Sequence, residues 1–209
     1  MRKPSKTALF AAAKAWDAAA VSALLKAAPD LAHATDPKGR TALHIASAAA
    51  PDGENVFDPY GLRTVTALLN AGADLHAEQI IRDRGEGHPA TAVWWAASWG
   101  NNPKLVDFLI ARGAKPDHCL WAIVWRDDAP MMKAVLKTKP KLDLKAEGET
   151  ALFYAARLKR LKTLDLLIKG GADPNIKDAK GRTAVEIAKA RKLPTDYIAR
   201  LEALAAKMK

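Results

Sequence analysis

The 209-residue sequence predicts an all-α solenoid built from stacked two-helix repeats. Three observations lead there. A Thr-Ala-Leu or Thr-Ala-Val start recurs at Thr7, Thr41, Thr91, Thr150 and Thr183, with a degenerate copy at His118-Cys119-Leu120. Successive starts lie 34, 50, 27, 32 and 33 residues apart, a spacing that marks a repeat array. Glycine-led stops recur as well, at Gly72-Ala73-Asp74, Gly113-Ala114-Lys115 and Gly171-Ala172-Asp173.

Each repeat follows one physical plan. The Thr hydroxyl caps a first helix. Paired small residues follow, at Ala12-Ala13, Ala46-Ser47, Ala96-Ala97 and Ala155-Ala156, and let that helix lie close to its neighbours. A short turn leads to a second apolar helix, at Val21–Leu25, Val65–Leu69, Leu105–Ile110, Met132–Leu136 and Leu164–Ile168. Glycine ends it, because glycine enters the left-handed region at no steric cost. Asp36-Pro37-Lys38-Gly39-Arg40 and Asp178-Ala179-Lys180-Gly181-Arg182 are turns into the next repeat. The expected organisation is one domain over 1–209, with repeats at about 5–36, 37–77, 87–115, 116–145, 146–177 and 178–209. An insertion at 48–61 splits the second repeat, and an extended loop at 78–88, read as a hairpin, follows it.

These residues resemble the ankyrin repeat family, over about Lys6 to Arg200. The nearest match to its Thr-Pro-Leu-His-x-Ala signature is Thr41-Ala42-Leu43-His44-Ile45-Ala46. Ala stands for the signature Pro, or Cys in the fourth repeat. Only His44 keeps the signature His; Phe10, Trp94, Trp121, Phe153 and Glu186 fill its place, and apolar packing is expected to replace the bonds of the His. The fourth repeat lacks the Thr cap, the small pair and the Gly stop, with Pro140 instead. In the last repeat a charged helix over Tyr197–Met208 is read as a C-terminal cap, since a terminal repeat must shield an apolar end.

The resemblance implies a non-catalytic protein-recognition module whose contacts fall in a concave groove and on the connecting turns. Carried over position by position, the ends of the first helices are Lys14, Ser98-Trp99, Trp125-Arg126, Arg157-Leu158 and Lys189-Ala190. Trp99 and Trp125 would stand side by side in adjacent repeats, and Trp and Arg are enriched at binding hot spots. Trp94, Trp95 and Trp121 sit earlier in their helices and are read as structural. The candidate partner-binding residues are Trp99, Trp125, Arg126, Arg157, Leu158, Lys159, Arg160, Arg40, Arg182 and His88. Core filling is the competing reading for the two tryptophans.

Charge supplies a second reading. The net charge is +10, and from Lys133 onward 19 Lys/Arg face 9 Asp/Glu, against 14 of each sign before it. Arg157, Lys159, Arg160 and Lys162 flank one inter-helix turn, and Lys189, Arg191 and Lys192 the next, with Lys133, Lys137, Lys139 and Lys141 adding charge in the fourth repeat. Stacked, the turns would form a basic ridge for an acidic protein, or alternatively for nucleic acid or another anionic surface. A solvated face is the bland alternative.

Other classes find little support. The five His are scattered, no His pair has helical metal spacing, and no cofactor is expected. Asp127-Asp128 reads as a helix cap, and Gly85-Glu86-Gly87 lacks the context of a nucleotide loop. The single Cys119 excludes an internal disulfide and suits a reducing, cytoplasmic setting. Arg2 to Ala13 resembles a short signal peptide, but Lys14 and Asp17 interrupt the apolar run and the segment fits the first repeat. A monomer without a membrane span is expected, and a host-directed bacterial effector is a third reading.

Overall fold

The computed structural model describes residues 4–51, 58–82 and 87–208. The centre of the 48–61 insertion, residues 83–86 of the extended loop and the first residues of the signal-like segment lie outside them. The chain divides into two compact units. The N-terminal unit comprises residues 1–81 and 89–115, and the C-terminal unit comprises 82–88 and 116–209.

The N-terminal unit holds α1 Lys6–Lys14, α2 Ala18–Ala27, a 3-10 turn Pro29–His33, α3 Ala42–Ala48, α4 Leu62–Asn70, α5 Ala92–Ala97 and α6 Pro103–Ala111. Strand β1 Gln79–Ile81 pairs with β2 His88–Ala90, so the long connection does form a hairpin stem. The C-terminal unit holds α7 Cys119–Arg126, α8 Ala129–Leu136, β3 Lys145–Ala146, β4 Glu149–Thr150, α9 Ala151–Leu158, α10 Leu161–Lys169, α11 Ala184–Ala190 and α12 Thr195–Lys207. β3 and β4 close an antiparallel ladder, Lys145 opposite Thr150, over a turn with both Glu147 and Gly148 left-handed.

Helices this short are marginal alone, so stacking must hold them. First helices form one layer: α1 packs on α3 and α3 on α5, and in the other unit α7 packs on α9 and α9 on α11. Second helices form the other layer, α2 on α4, then α8 on α10 and α10 on α12. The small pairs serve the close layer as expected: Ala13, Ala46, Ala96, Ala97, Ala155 and Ala156 are fully buried. Leu or Val at the start of five first helices, Leu9, Leu43, Val93, Leu120 and Leu152, fills the core, and Val185 of α11 is half-buried. α12 buries Leu201 and leaves a charged outer face over α10 and α11.

Caps differ from the sequence expectation in instructive ways. Thr41, Thr150 and Thr183 cap α3, α9 and α11 through their hydroxyls. Thr91 holds the cap position of α5 without a side-chain bond, and Thr7 lies inside α1, which Ser5 caps. His44 and Glu186 both complete capping boxes. The indole N–H of Trp121 donates to the Glu149 carbonyl at 3.2 Å. Apolar packing therefore replaces the signature His at Phe153, which is fully buried, but not at Trp121 or Glu186.

Candidate partner-binding surface

The end of each first helix is set by its turn. Trp16, Asn101, Asp127, Lys159 and Lys192, all non-glycine, take left-handed backbone between the two helices of their repeats. Side-chain caps at the N-cap position then start half of the second helices: Asp17 for α2, Asn102 for α6 and Asp128 for α8. α10 has Arg160 at its cap position, which offers no acceptor. Asp127 of the preceding repeat accepts instead from the Thr163 N–H and hydroxyl, both at 2.9 Å. Asp58 does the same for α4, accepting from the Thr64 N–H at 2.9 Å. The Asp127-Asp128 pair is thus two caps, one for its own repeat and one for the next.

Trp99 and Trp125 are exposed, at 68% and 59%, while the other four tryptophans are at most 8% exposed. This disfavours core filling for both. Trp99 belongs to the N-terminal unit and Trp125 to the C-terminal unit. Trp99 owes its position to an irregular helix end. α5 stops after six residues, and Ser98 leaves helical geometry at φ −86°, ψ −90°. The Asn102 N–H reaches back six residues to the Ala96 carbonyl. The corresponding bond spans five residues in the first, fourth, fifth and sixth repeats, as from Arg160 to Ala155. One extra residue is therefore accommodated here. Gly100 absorbs it, since a Cβ there would stand 2.4 Å from the Ser47 carbonyl oxygen. The Trp99 ring rests on those of Trp94 and Trp95, with centroids 6.2 and 5.5 Å away. Trp95 in turn donates to Gln79 at 3.1 Å, and the Arg40 guanidinium lies 5.8 Å from its ring centroid.

The basic candidates divide. Arg40 and Arg182 occupy equivalent turns and each binds the first residue of its turn, Asp36 and Asp178, through Nε. The two carboxylates also accept backbone N–H groups of their own turns. Burial opposes ionisation of each, but these bonds prevail and hold both carboxyls below the usual carboxylate range. Arg157 is engaged as well, donating through Nε and Nη2 to Glu149. His88 is not at an exposed tip; its side chain is 11% exposed and faces Glu147 at 3.9 Å. Arg160 is half-buried, with its Nε sequestered from solvent. Arg126 and Lys159 are exposed, and Leu158 is half-buried.

Sequence reasoning missed where the acidic side chains go. In the C-terminal unit they largely serve its own backbone. Asp117 accepts from Lys141 N, Asp128 from Met131 N, and Asp143 from Asp173 N, at 2.8 to 2.9 Å. Glu186 accepts from Thr183 N at 2.7 Å. Asp165 binds Lys169 and Arg200, and these partners hold its carboxyl below the usual range. By contrast, Lys159, Lys162, Arg191 and Lys192 are exposed and form no ion pair among the described residues.

Catalytic geometry is sparse. Among the described residues no three His, Cys, Asp or Glu side chains converge as a metal site, and no helix is long and apolar enough to cross a membrane. Cys119 is buried, and that burial pushes its thiol far above the ordinary range.

Stacked two-helix repeats joined by hydrogen-bonded turns define a helical repeat protein. The model of ankyrin repeats, in three copies, matches residues 59–178, and a single-repeat model matches residues 38–79. The chain belongs to the ankyrin repeat family. A crystal structure of an ankyrin repeat domain from Acinetobacter baumannii, at 1.00 Å resolution, is similar over 97% of both chains, with a TM-score of 0.68 and 22% identity. At that identity the likeness speaks for the fold. No curated protein matches the chain. Ankyrin repeats are in general protein–protein interaction modules, and the family is in general non-catalytic.

Proposed function

We propose that this chain is a non-catalytic module that recognises a protein partner through the ends of its first helices and the connecting turns. The carrying observation is the contrast among its tryptophans: Trp99 and Trp125, both at helix ends, are largely exposed, while four others are buried. A large indole left in water costs apolar hydration that a partner relieves, and such residues dominate binding energy. Trp99 is also pre-positioned by the two indoles beneath it, so little ordering entropy remains to be lost on binding.

The test is affinity capture with the wild-type chain, Trp99→Ala, Trp125→Ala and the double variant, with thermal unfolding of each. The double variant is expected to lose its partner by more than about ten-fold, since a hot-spot truncation costs about 2 kcal/mol or more, with the fold retained. A partner retained by the double variant, or an unfolded double variant with both single variants still binding, overturns the proposal.

A further inference from the structure

We infer that the two turns following α9 and α11 bind a phosphorylated protein segment, with one phosphomonoester seated on each turn. This rests on the protein-recognition reading above and adds the chemistry of the partner.

The two turns adjoin because α9 packs directly on α11, and the helices that leave them, α10 and α12, pack on each other. Each turn presents an exposed pair of cations: Lys159 and Lys162 on the first, Arg191 and Lys192 on the second. None of these side chains forms an ion pair among the described residues. Half-buried Arg160 adds charge between Lys159 and Lys162 in the chain. Most carboxylates nearby are matched by cations of their own. Glu149 holds Arg157, Asp165 holds Lys169 and Arg200, and Glu202 holds Lys189. Asp127 of the preceding turn accepts from Thr163 at the start of α10, and exposed Asp196 lies in the first turn of α12. Set against Lys159, Arg160, Lys162, Arg191 and Lys192, these two acids leave the pair of turns with an excess of positive charge. The turn after α7 takes no part, since Asp127 and Asp128 outweigh Arg126 there. Folding does not account for the lysines. Lys159 and Lys192 are left-handed, at φ 56° and 55°, where glycine or asparagine is sterically easier.

Pairing selects the ligand. A carboxylate or a phosphodiester carries a single negative charge and leaves one cation of each turn unmatched. A phosphomonoester carries a charge of about −1.5 to −2 and several acceptor oxygens, which two cations on one turn share. Packed neighbouring helices lie about 8–10 Å apart, which sets the interval between the turns. A polyproline-type chain advances about 9 Å in its three-residue turn and returns every third side chain to the same side. Two phosphorylated residues three positions apart therefore reach both turns. Apolar contacts are at hand for the residues beside the phosphates. Leu158 is half-buried next to Lys159 in the chain, and Trp125 is exposed at the end of α7, which packs on α9. Such contacts suit a polypeptide that carries its phosphates, not a lipid headgroup or a bare phosphate ion.

The experiment is fluorescence anisotropy of the full chain with three labelled probes of similar total charge. These are a Pro/Ala peptide with two phosphoserines three positions apart, a Pro/Ala peptide with four glutamates, and an oligothymidylate with four phosphates. The phosphopeptide is expected to bind about ten-fold tighter than either of the others, as two or three exposed ion pairs allow. Lys159→Asn with Lys192→Asn should weaken it by a similar factor; Asn suits left-handed backbone, so the turns survive. Lys162→Gln with Arg191→Gln, which leaves both left-handed residues in place, should do the same. Lys133→Gln with Lys137→Gln, which removes the same charge from α8, should leave binding nearly unchanged. Equal binding of the two peptides, equal loss in all three variant pairs, or tightest binding of the oligonucleotide overturns the inference. So does stronger competition by vesicles carrying a phosphatidylinositol bisphosphate than by unlabelled phosphopeptide at equal phosphate. If the tryptophan variants lose their captured partner while the peptides show no preference, protein recognition stands and the phosphopeptide inference falls.

Discussion

His44 shows what a single residue does in this fold. Its Nδ1 accepts the Thr41 N–H at 3.0 Å, and its Nε2–H donates to the Ala77 carbonyl at 2.9 Å. Both ring nitrogens are thus satisfied in the neutral form. Burial lowers its pKa below the ordinary 6.5, although nearby carbonyls offset part of the effect. The unfolded chain therefore binds a proton that the folded chain refuses. Stability from His44 is complete above the ordinary pKa and is lost as pH falls from about 6.5 toward the depressed folded value, by at most about 1.4 kcal/mol per pH unit. Thermal unfolding between pH 5 and 7.5 should show this loss, and His44→Gln should flatten it; an unchanged slope in the variant would remove His44 as the cause. Gly100 is the counterpart on steric grounds. Gly100→Ala forces a methyl against the Ser47 carbonyl, and about 1–3 kcal/mol of destabilisation is expected, with altered tryptophan emission as Trp99 is displaced. A wild-type melting curve and emission spectrum would refute it.

At the scale of elements, the helices depend on residues outside themselves. α10 cannot cap itself with Arg160 and borrows Asp127 across the repeat boundary. Asp127→Gly, which keeps the left-handed turn after α7 unstrained, should therefore destabilise the C-terminal unit by about 1–2 kcal/mol. Hydrogen exchange should localise the loss to the start of α10, not to α7, where the residue resides. Protection lost only in α7 would contradict the borrowed cap. This dependence was half legible in the sequence. Asp127-Asp128 reads as a cap, but that one serves a helix 36 residues further on follows only from stacking. The same limit applies to Arg40, Arg157 and Arg182. Their types suggested contacts, while their carboxylate partners depend on turn geometry. The start of each repeat was more readable because a Thr cap, Leu and a small pair are local requirements. Trp99 lay between: its exposure follows from one additional residue at the end of α5, which a tolerant alignment of repeats absorbs unnoticed.

On the scale of the whole molecule, the repeat period identified the fold, and the family match confirms it. The net charge of +10 was equally plain, but its meaning was not. Counting charges treats a carboxylate and an ammonium as cancelling partners. Here many carboxylates of the C-terminal unit are bound to backbone N–H groups, while a set of lysines has no such duty. A consequence follows for how this protein changes over generations. An aspartate that holds a turn or caps a helix cannot be exchanged without weakening the fold. A lysine that only faces water can be exchanged freely as far as folding is concerned. Selection can therefore revise the cationic pattern of this unit, and with it the choice of partner, while the anionic pattern stays bound to the scaffold.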